Sequence, residues 1–498
     1  MKIFHLIFVL FSITLAQFED HPLEVNPDQL GQSTFIISGS NPYILDDWHY
    51  RSLRIDGNFG IPVGSFRIKD ILPDFKSDSL LTTYFKWNQG DYRYRQLQLG
   101  MLSTDENGNS IESAGVGRSF PGKYSHLGPD GTSSENVLQN YMLGINRHLN
   151  QHEFEFDWLY HRENTGLPIF IFSYFNRNIE SYAIGGTYRY HHPNFDSEVN
   201  TAQQITKASN DGWNLYLNNI RILNRWFSTK NRILINPKLD YQIQMEAKET
   251  EYQYQDVSTE RLNYSSVYSG LEWHLSEFTD ISAGLRYTDN SKFKIEFGYR
   301  NSTGILSMDI SHKYLLTMYR RSDLIIGPTG WFDNRARIAV RTGGGQSDIT
   351  IHFIQFEGDH FWSVNPSVSL TLPWILFSAG STVNSADSSL FSNHSQFTIR
   401  IAPSLKHKPY KPFIQLKGVY IKSMGHKAFD LLHPRPVIII LDDEMEHTSL
   451  NASFGLVFDR FELSFNMIQF TVPGSTVSPA ILPIEPMNYL QVTWIFTD

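Results

Sequence analysis

The stretch HEFEFDWLYH at residues 152–161 alternates between two kinds of side chain. Phe154, Phe156, Trp158 and Tyr160 share one parity, and Glu153, Glu155, Asp157 and His161 share the other. Successive side chains of an extended strand point to opposite faces, so one face is mostly aromatic and the other mostly acidic. The pattern recurs. In KLDYQIQME, residues 238–246, Leu239, Tyr241, Ile243 and Met245 alternate with Lys238, Asp240, Gln242, Gln244 and Glu246. In KFKIEFGYR, residues 292–300, Phe293, Ile295, Phe297 and Tyr299 alternate with Lys292, Lys294, Glu296 and Arg300. DISAGLRYT, residues 280–288, sets Ile281, Ala283, Leu285 and Tyr287 against Ser282, Gly284, Arg286 and Thr288. SLNASFGLVF, FELSFNM and the last segment, YLQVTWIF, repeat it; in YLQVTWIF the apolar face is Leu490, Val492, Trp494 and Phe496.

These segments run to about ten residues. Soluble strands average ~5–6 residues, whereas strands that cross a bilayer as part of a barrel need ~9–11. Turn signals separate the segments: Asp289-Asn290, a run at residues 301–304, Gly343 to Gly345, and Asp459-Arg460. No long amphipathic helix and no fixed-period repeat interrupts them. The pattern therefore predicts an all-β, transmembrane antiparallel barrel of roughly 16–18 strands between residues 80 and 496. Its lumen-lining candidates are Glu153, Glu155, Asp157, Lys238, Asp240, Arg286, Lys292, Lys294, Glu296 and Arg300. Its lipid-facing candidates are Phe154, Phe156, Trp158, Tyr160, Trp494 and Phe496. One shift of phase stands out: Tyr92 and Tyr94 are even, whereas Leu97, Leu99 and Met101 are odd, so either a bulge intervenes or the tyrosines face the lumen.

The N-terminus bears on the compartment. Residues 1–16 combine a positive Lys2, a short apolar stretch and a small residue, Ala16, which reads as a secretory signal peptide. Residues 17–48 carry Pro22, Pro27 and Pro42 and little alternation, and are expected to form an N-terminal extension, a periplasmic lead-in or a short plug. The barrel is then expected over residues 49–498. Composition narrows the chemistry. The absence of cysteine excludes disulfides, thiolate metal sites, cysteine nucleophiles and a lipoprotein anchor. A net charge of −9 argues against nucleic acid as a partner. Aromatics at 14% suit the girdles of a membrane barrel.

Candidate chemical motifs fail individually. DENGNS, residues 105–110, starts like a calcium loop, but the sixth and twelfth positions are Ser110 and Val116 where glycine and glutamate are required, so Asn107-Gly108 reads as a turn. DDEMEH, residues 442–447, gathers acids without ligand spacing and reads as a solvated loop. His394 and Ser395 are adjacent and so point to opposite faces of a strand, which defeats a catalytic dyad. The apolar run PVIII at 436–440 suits either a loop folded into the lumen or a buried piece of ordinary strand, the second being the plainer reading. Residues 103–135 read as a loop region around a strand near residues 111–120. No catalytic residue, metal site or cofactor is expected.

TYFKWNQGDYRYRQLQLGM at residues 83–101, with Tyr84 and Gly90, and GRSFPGKY at residues 117–124 resemble the early strands of the porin family found in Bacteroidetes-type outer membranes. The likeness covers about forty residues and implies a barrel for passive diffusion, with no catalytic residues to carry over. The C-terminal segment resembles the last strands of outer-membrane proteins more broadly, except that Thr497 and Asp498 follow the aromatic Phe496. The expected protein is thus a non-enzymatic, porin-like channel in the outer membrane, in contact with membrane lipid, the barrel-assembly machinery and small solutes. Its oligomeric state leaves no signal. Three alternatives stay open: a hatched barrel for apolar substrates, a secreted soluble β-rich binding protein, and a barrel enzyme acting on lipid or peptide. A TonB-type active transporter is disfavoured, because a plug and 22 strands look too much for the length remaining after residue 16.

Overall fold

The structure is a computed structural model that describes residues 81–120, 136–166, 176–211, 219–254, 258–289, 293–303, 305–321, 324–342, 345–356, 359–384, 391–404, 408–423, 427–430, 437–440, 446–468 and 487–497. The strands are β1 (Leu81–Gly90), β2 (Arg95–Thr104), β3 (Ser110–Phe120), β4 (Asn136–Leu149), β5 (His152–Gly166), β6 (Asn176–His192), β7 (Phe195–Asp211) and β8 (Asn219–Asn236). They continue with β9 (Leu239–Tyr254), β10 (Ser258–Ser276), β11 (Thr279–Thr288), β12 (Phe293–Ser302), β13 (Leu306–Arg321), β14 (Leu324–Thr342), β15 (Gly345–Phe356) and β16 (Asp359–Thr371). The last are β17 (Ile375–Asn384), β18 (Phe391–Ile401), β19 (Tyr410–Ser423), β20 (Lys427–Asp430), β21 (Val437–Ile440), β22 (Glu446–Phe458), β23 (Phe461–Ile468) and β24 (Met487–Thr497).

Each strand except β20 and β21 pairs antiparallel with its sequence neighbours in one 22-stranded sheet, β19 passing directly to β22. The sheet closes on itself. β1 pairs with β24 from Thr82↔Thr497 to Gly90↔Tyr489, so the last strand meets the first and no barrel edge is left unpaired. Above this seam Asp91 accepts hydrogen bonds from the backbone N–H and side-chain amide of Asn488, at 2.8 and 3.0 Å. Val437–Ile440 pairs with Lys427–Asp430 in a separate two-stranded sheet, so the apolar run is a strand, as the plainer reading has it, but not one of the barrel.

The fold class is the one the alternation predicts, but 22 strands exceed the expected 16–18. The difference has a physical origin. β7 turns Ser197, Thr201 and Gln203 outward, so it carries no clean apolar parity. The argument from chain length also fails for the strands, because all 22 fit within residues 81–497. Connections at one rim explain the economy: residues 150–151, 193–194, 237–238, 277–278 and 459–460 each join two strands. The start of β1 and the end of β24 lie at this rim, which the rule for outer-membrane barrels makes periplasmic. The expected boundaries after residues 16 and 48 lie outside the described residues.

The outward face is the apolar one, with Phe154, Phe156, Trp158, Leu285, Ile295, Phe297, Trp494 and Phe496 all exposed. Such a continuous apolar surface needs lipid, and the chain is an outer-membrane β-barrel. The belt ends within the strands. Outward positions of β9 run Leu239, Tyr241, Ile243, Met245, Ala247, and then Glu249 and Glu251, which pair with the outward Arg225 and Arg261 at 2.8 and 3.1 Å. Strands of up to 19 residues therefore outrun a span of ~9–11 residues, and the barrel stands proud of the membrane on the side of the longer loops.

Candidate functional site

The inner wall is the surface available for function, and its chemistry changes around the circumference. Near the seam, Tyr84, Leu102, Ala114, Val116, Met142, Leu159 and Ala183 are inward-facing and buried, with Ile495 packed against the group. Tyr94, fully buried, receives a hydrogen bond from the Asn88 amide at 3.3 Å and donates one to Gln96 Oε1 at 2.7 Å. Its ring meets Tyr489 edge-on at 5.4 Å. Of the two alternatives for the phase shift, the lumen-facing one holds for Tyr94, and the reversal is made by a single 3₁₀ turn, Asp91–Arg93. An inner wall bathed in an open channel would be wet. This sector is buried.

From β5 round to β15 the inner wall is ionic. Arg189 lies 3.2 Å from Glu153, 3.4 Å from Glu155 and 3.0 Å from Glu198. Asp240, fully buried, is paired with Arg232 and lies 2.9 Å from His274 Nε2, while His274 Nδ1 lies 2.7 Å from Asp280. Arg286 grips Glu296 and rests over the Tyr268 ring, 5.3 Å from its centroid. Arg337 meets Asp348 at 3.0 Å. Farther round, Arg400 on β18 reaches Glu462 on β23 at 2.9 Å, across two intervening strands. Side chains of non-adjacent strands converge only on a concave face, which fixes this face as the interior.

The structure places Glu153, Glu155, Asp157, Asp240, Arg286, Lys294, Glu296 and Arg300 on the inner parity and brings three sets together: the Arg189 cluster, the Asp240 cluster and the Arg286–Glu296 pair. Arg300 is exposed, 3.8 Å from Asp309. Lys238 departs from its expected role. It sits exposed in the two-residue turn between β8 and β9, because the strand ladder starts only at Leu239, and so belongs to the rim rather than the wall. Lys292 lies outside the described residues. Among the aromatics, Phe154, Phe156, Trp158, Trp494 and Phe496 are exposed on the outer parity. Tyr160 lies on the same face between Tyr141 and Tyr182, its hydroxyl donating to Glu180 at 3.2 Å. Arg189, Arg232, His274 and Asp348 were not singled out from the sequence. Arg189 had a signal, since it separates Tyr188 from Tyr190 in another alternating run.

Two discarded motifs are accounted for. Asp105 accepts hydrogen bonds from the backbone N–H groups of Asn107 and Asn109, at 2.9 and 2.8 Å, in a turn where Gly108 takes φ of +80°. Ser395 is held by Ser381 and Asn393, each at 2.7 Å. Asp442, Asp443 and Glu444 lie outside the described residues.

No protein-family model matches the sequence, and no curated protein is similar to it in sequence. Solved structures are similar in fold. The FrpB iron transporter from Neisseria meningitidis superposes with a TM-score of 0.65 at 10% identity, over 88% of this chain and 85% of that one. The siderophore receptor PirA from Pseudomonas aeruginosa gives 0.57 at 9% identity, over 85% and 81%. A variant of the ferric enterobactin receptor PfeA from the same organism gives 0.60 at 10% identity, over 84% and 81%. These neighbours are transporters and receptors, not enzymes. At such identities the likeness is one of fold. It supports an outer-membrane barrel but not the porin family of Bacteroidetes-type membranes. It also overturns the passive-channel expectation: this barrel has the strand number of plugged transporters, whereas porins of ~16–18 strands leave an aqueous channel.

Proposed function

We propose that the protein is a gated outer-membrane uptake barrel that binds a small polar solute and passes it inward without free diffusion. The observation that carries this reading is a 22-strand wall whose inward side chains near the seam are buried. A strand spacing of ~4.8 Å and a tilt of ~40° give a backbone bore of about 44 Å. Left open, that bore would abolish the outer-membrane barrier, so a barrel of this size works only when its lumen is filled. The hatched alternative therefore fits, with residues 17–48 proposed as part of the hatch. The apolar substrate attached to that alternative fits less well, because arginine–carboxylate pairs line much of the wall. A polar complex suits it better. The proteins of similar fold are an iron transporter and siderophore receptors, and a ferric siderophore is the first solute to test. Lipid around the apolar belt and the barrel-assembly machinery remain the proposed partners.

The test is liposome swelling with sugars, paired with ferric enterobactin binding read by tryptophan fluorescence. The full-length protein should give no porin-like swelling, and deletion of residues 17–48 should raise it. Sugar permeation by the full-length protein at porin-like rates would overturn the reading.

A further inference from the structure

The Asp240 cluster holds more than an ion pair. Asp240, Glu272 and His274 each offer one ligand atom, and these atoms all lie within 4.8 Å of one another. They come together through the ladder: Asp240 and Glu272 are cross-strand partners of β9 and β10, and His274 follows two residues on, on the same face. The cluster lies just inside the periplasmic rim, since Asp240 is the second residue of β9 and Asp280 the second of β11.

We propose that Asp240, Glu272 and His274 bind one first-row divalent cation on the inner wall. Three further features support a built site. The Asp240 side chain is fully buried, yet among the described residues its Oδ1 has no hydrogen-bond partner, so a lone pair is held out of water with nothing there to accept from. Asp280 holds His274 Nδ1 at 2.7 Å, the outer carboxylate that orients a metal-binding imidazole, and Nε2 faces Asp240 Oδ2 at 2.9 Å, where the ion would take the place of the proton between them. Gln242 Nε2 donates to Glu272 Oε2 and holds that carboxylate in place. Arg232 engages Oδ2 of Asp240 and leaves Oδ1 open. Ligand bonds of ~2.0–2.2 Å put donor atoms about 3–4 Å apart, so the cluster has to close by at most about 2 Å. Two carboxylates and one imidazole favour Mn²⁺, Fe²⁺ or Zn²⁺ over the oxygen-only preferences of Ca²⁺ and Mg²⁺. Water fills the remaining positions, and the ion ties β9 to β10 at the rim. This site does not depend on which solute the barrel carries.

The experiment uses the full-length, detergent-folded protein stripped with chelator and titrated with ZnCl₂ or MnCl₂ alone. Calorimetry should find one ion per chain. His274→Ala and Glu272→Gln should each weaken binding at least tenfold, whereas Asp157→Asn, elsewhere on the inner wall, should not. Mn²⁺ paramagnetic resonance should show a nitrogen coupling that His274→Ala removes. Heat-modifiable gel mobility confirms that each variant is folded, and Asp240→Asn is avoided because it would unpair Arg232. Absence of saturable binding to the wild type, or equal affinity in both folded variants, would overturn the proposal.

Discussion

The wall at the seam and the wall opposite it have the same outside and different insides. Around Tyr84, Val116, Met142 and Leu159 the inner face is buried and interleaves apolar side chains with polar ones such as Gln98, Glu112, Arg118 and Asn140; from Arg189 to Asp348 it is built of ion pairs. Outward, both sectors present exposed aromatic and aliphatic side chains, such as Trp494 and Phe496 on one and Leu285 and Ile295 on the other. One solvent, lipid, sets the outer face everywhere. The inner face is set locally, by whatever each sector touches. The seam sector packs its inward side chains out of solvent, and the ionic sector holds charge at fixed positions.

The largest test breaks the seam itself. Deleting residues 489–498 removes most of β24 and its pairing with both β1 and β23. Two rows of backbone groups would then face hydrocarbon, each costing several kcal/mol. Membrane assembly should be abolished, with no heat-modifiable band in outer-membrane fractions. A barrel of normal abundance would show that closure does not need this strand. Removing only Thr497 and Asp498 costs one rung, Thr82↔Thr497, and should be tolerated.

The next test enters the ionic sector. Arg286 and Glu296 are both largely buried and paired. Arg286→Ala would leave a buried carboxylate without its main partner, which costs roughly 3–5 kcal/mol. Replacing both, as Arg286→Met with Glu296→Gln, should recover most of that loss in equilibrium unfolding from detergent. If the double variant is no more stable than Arg286→Ala, the charge pair is not what that wall position needs. Leu159→Ala in the seam sector should instead cost about 2–5 kcal/mol through a cavity, with no rescue by charge.

The third test compares the two faces of β5. Phe156→Arg sets a charge against lipid and should cost about 2–4 kcal/mol if near the midplane. Asp157→Asn changes an inward, half-buried position and should leave assembly intact. Equal assembly defects in the two variants would contradict the assignment of faces.

How much of this was legible follows from the same contrast. The outer face could be read, because lipid demands apolar side chains at every second residue and the chain obeys in β5, β9, β11 and β12. Strand number was not legible where that demand lapses, as in β7 with Thr201 and Gln203 outward. The inner face carried less information. A polar parity reveals neither which partner a charge meets nor whether it lies on the wall or in a turn, and so Lys238 reads as lumen-lining although it sits one residue before the ladder begins. His274 shows the limit. Its partners Asp240 and Asp280 come from the strands on either side, and only the register brings the three together.

The smallest expected effect lies at the periplasmic rim, outside both sectors, in the turn between β2 and β3. The carboxylate of Asp105 accepts from the Asn109 side-chain amide at 2.7 Å as well as from the two backbone N–H groups. These bonds favour the charged form. Chiefly through the Asn109 amide, they hold the Asp105 carboxyl below its ordinary range. Asn109 also accepts from the backbone N–H of His148 at 2.7 Å, so the turn is tied to the end of β4. A carboxyl lowered on folding adds stability above its unfolded pKa and loses it as pH falls through the folded value. The wild type should therefore exceed Asp105→Ala slightly in denaturant midpoint at pH 7, and the gap should close as the pH is lowered through that range. The group is fully exposed, so the gap should be smaller than any difference above. A gap that persists undiminished at the acid end would mean that the turn is held by its backbone geometry at Gly108 and not by the Asp105 carboxylate.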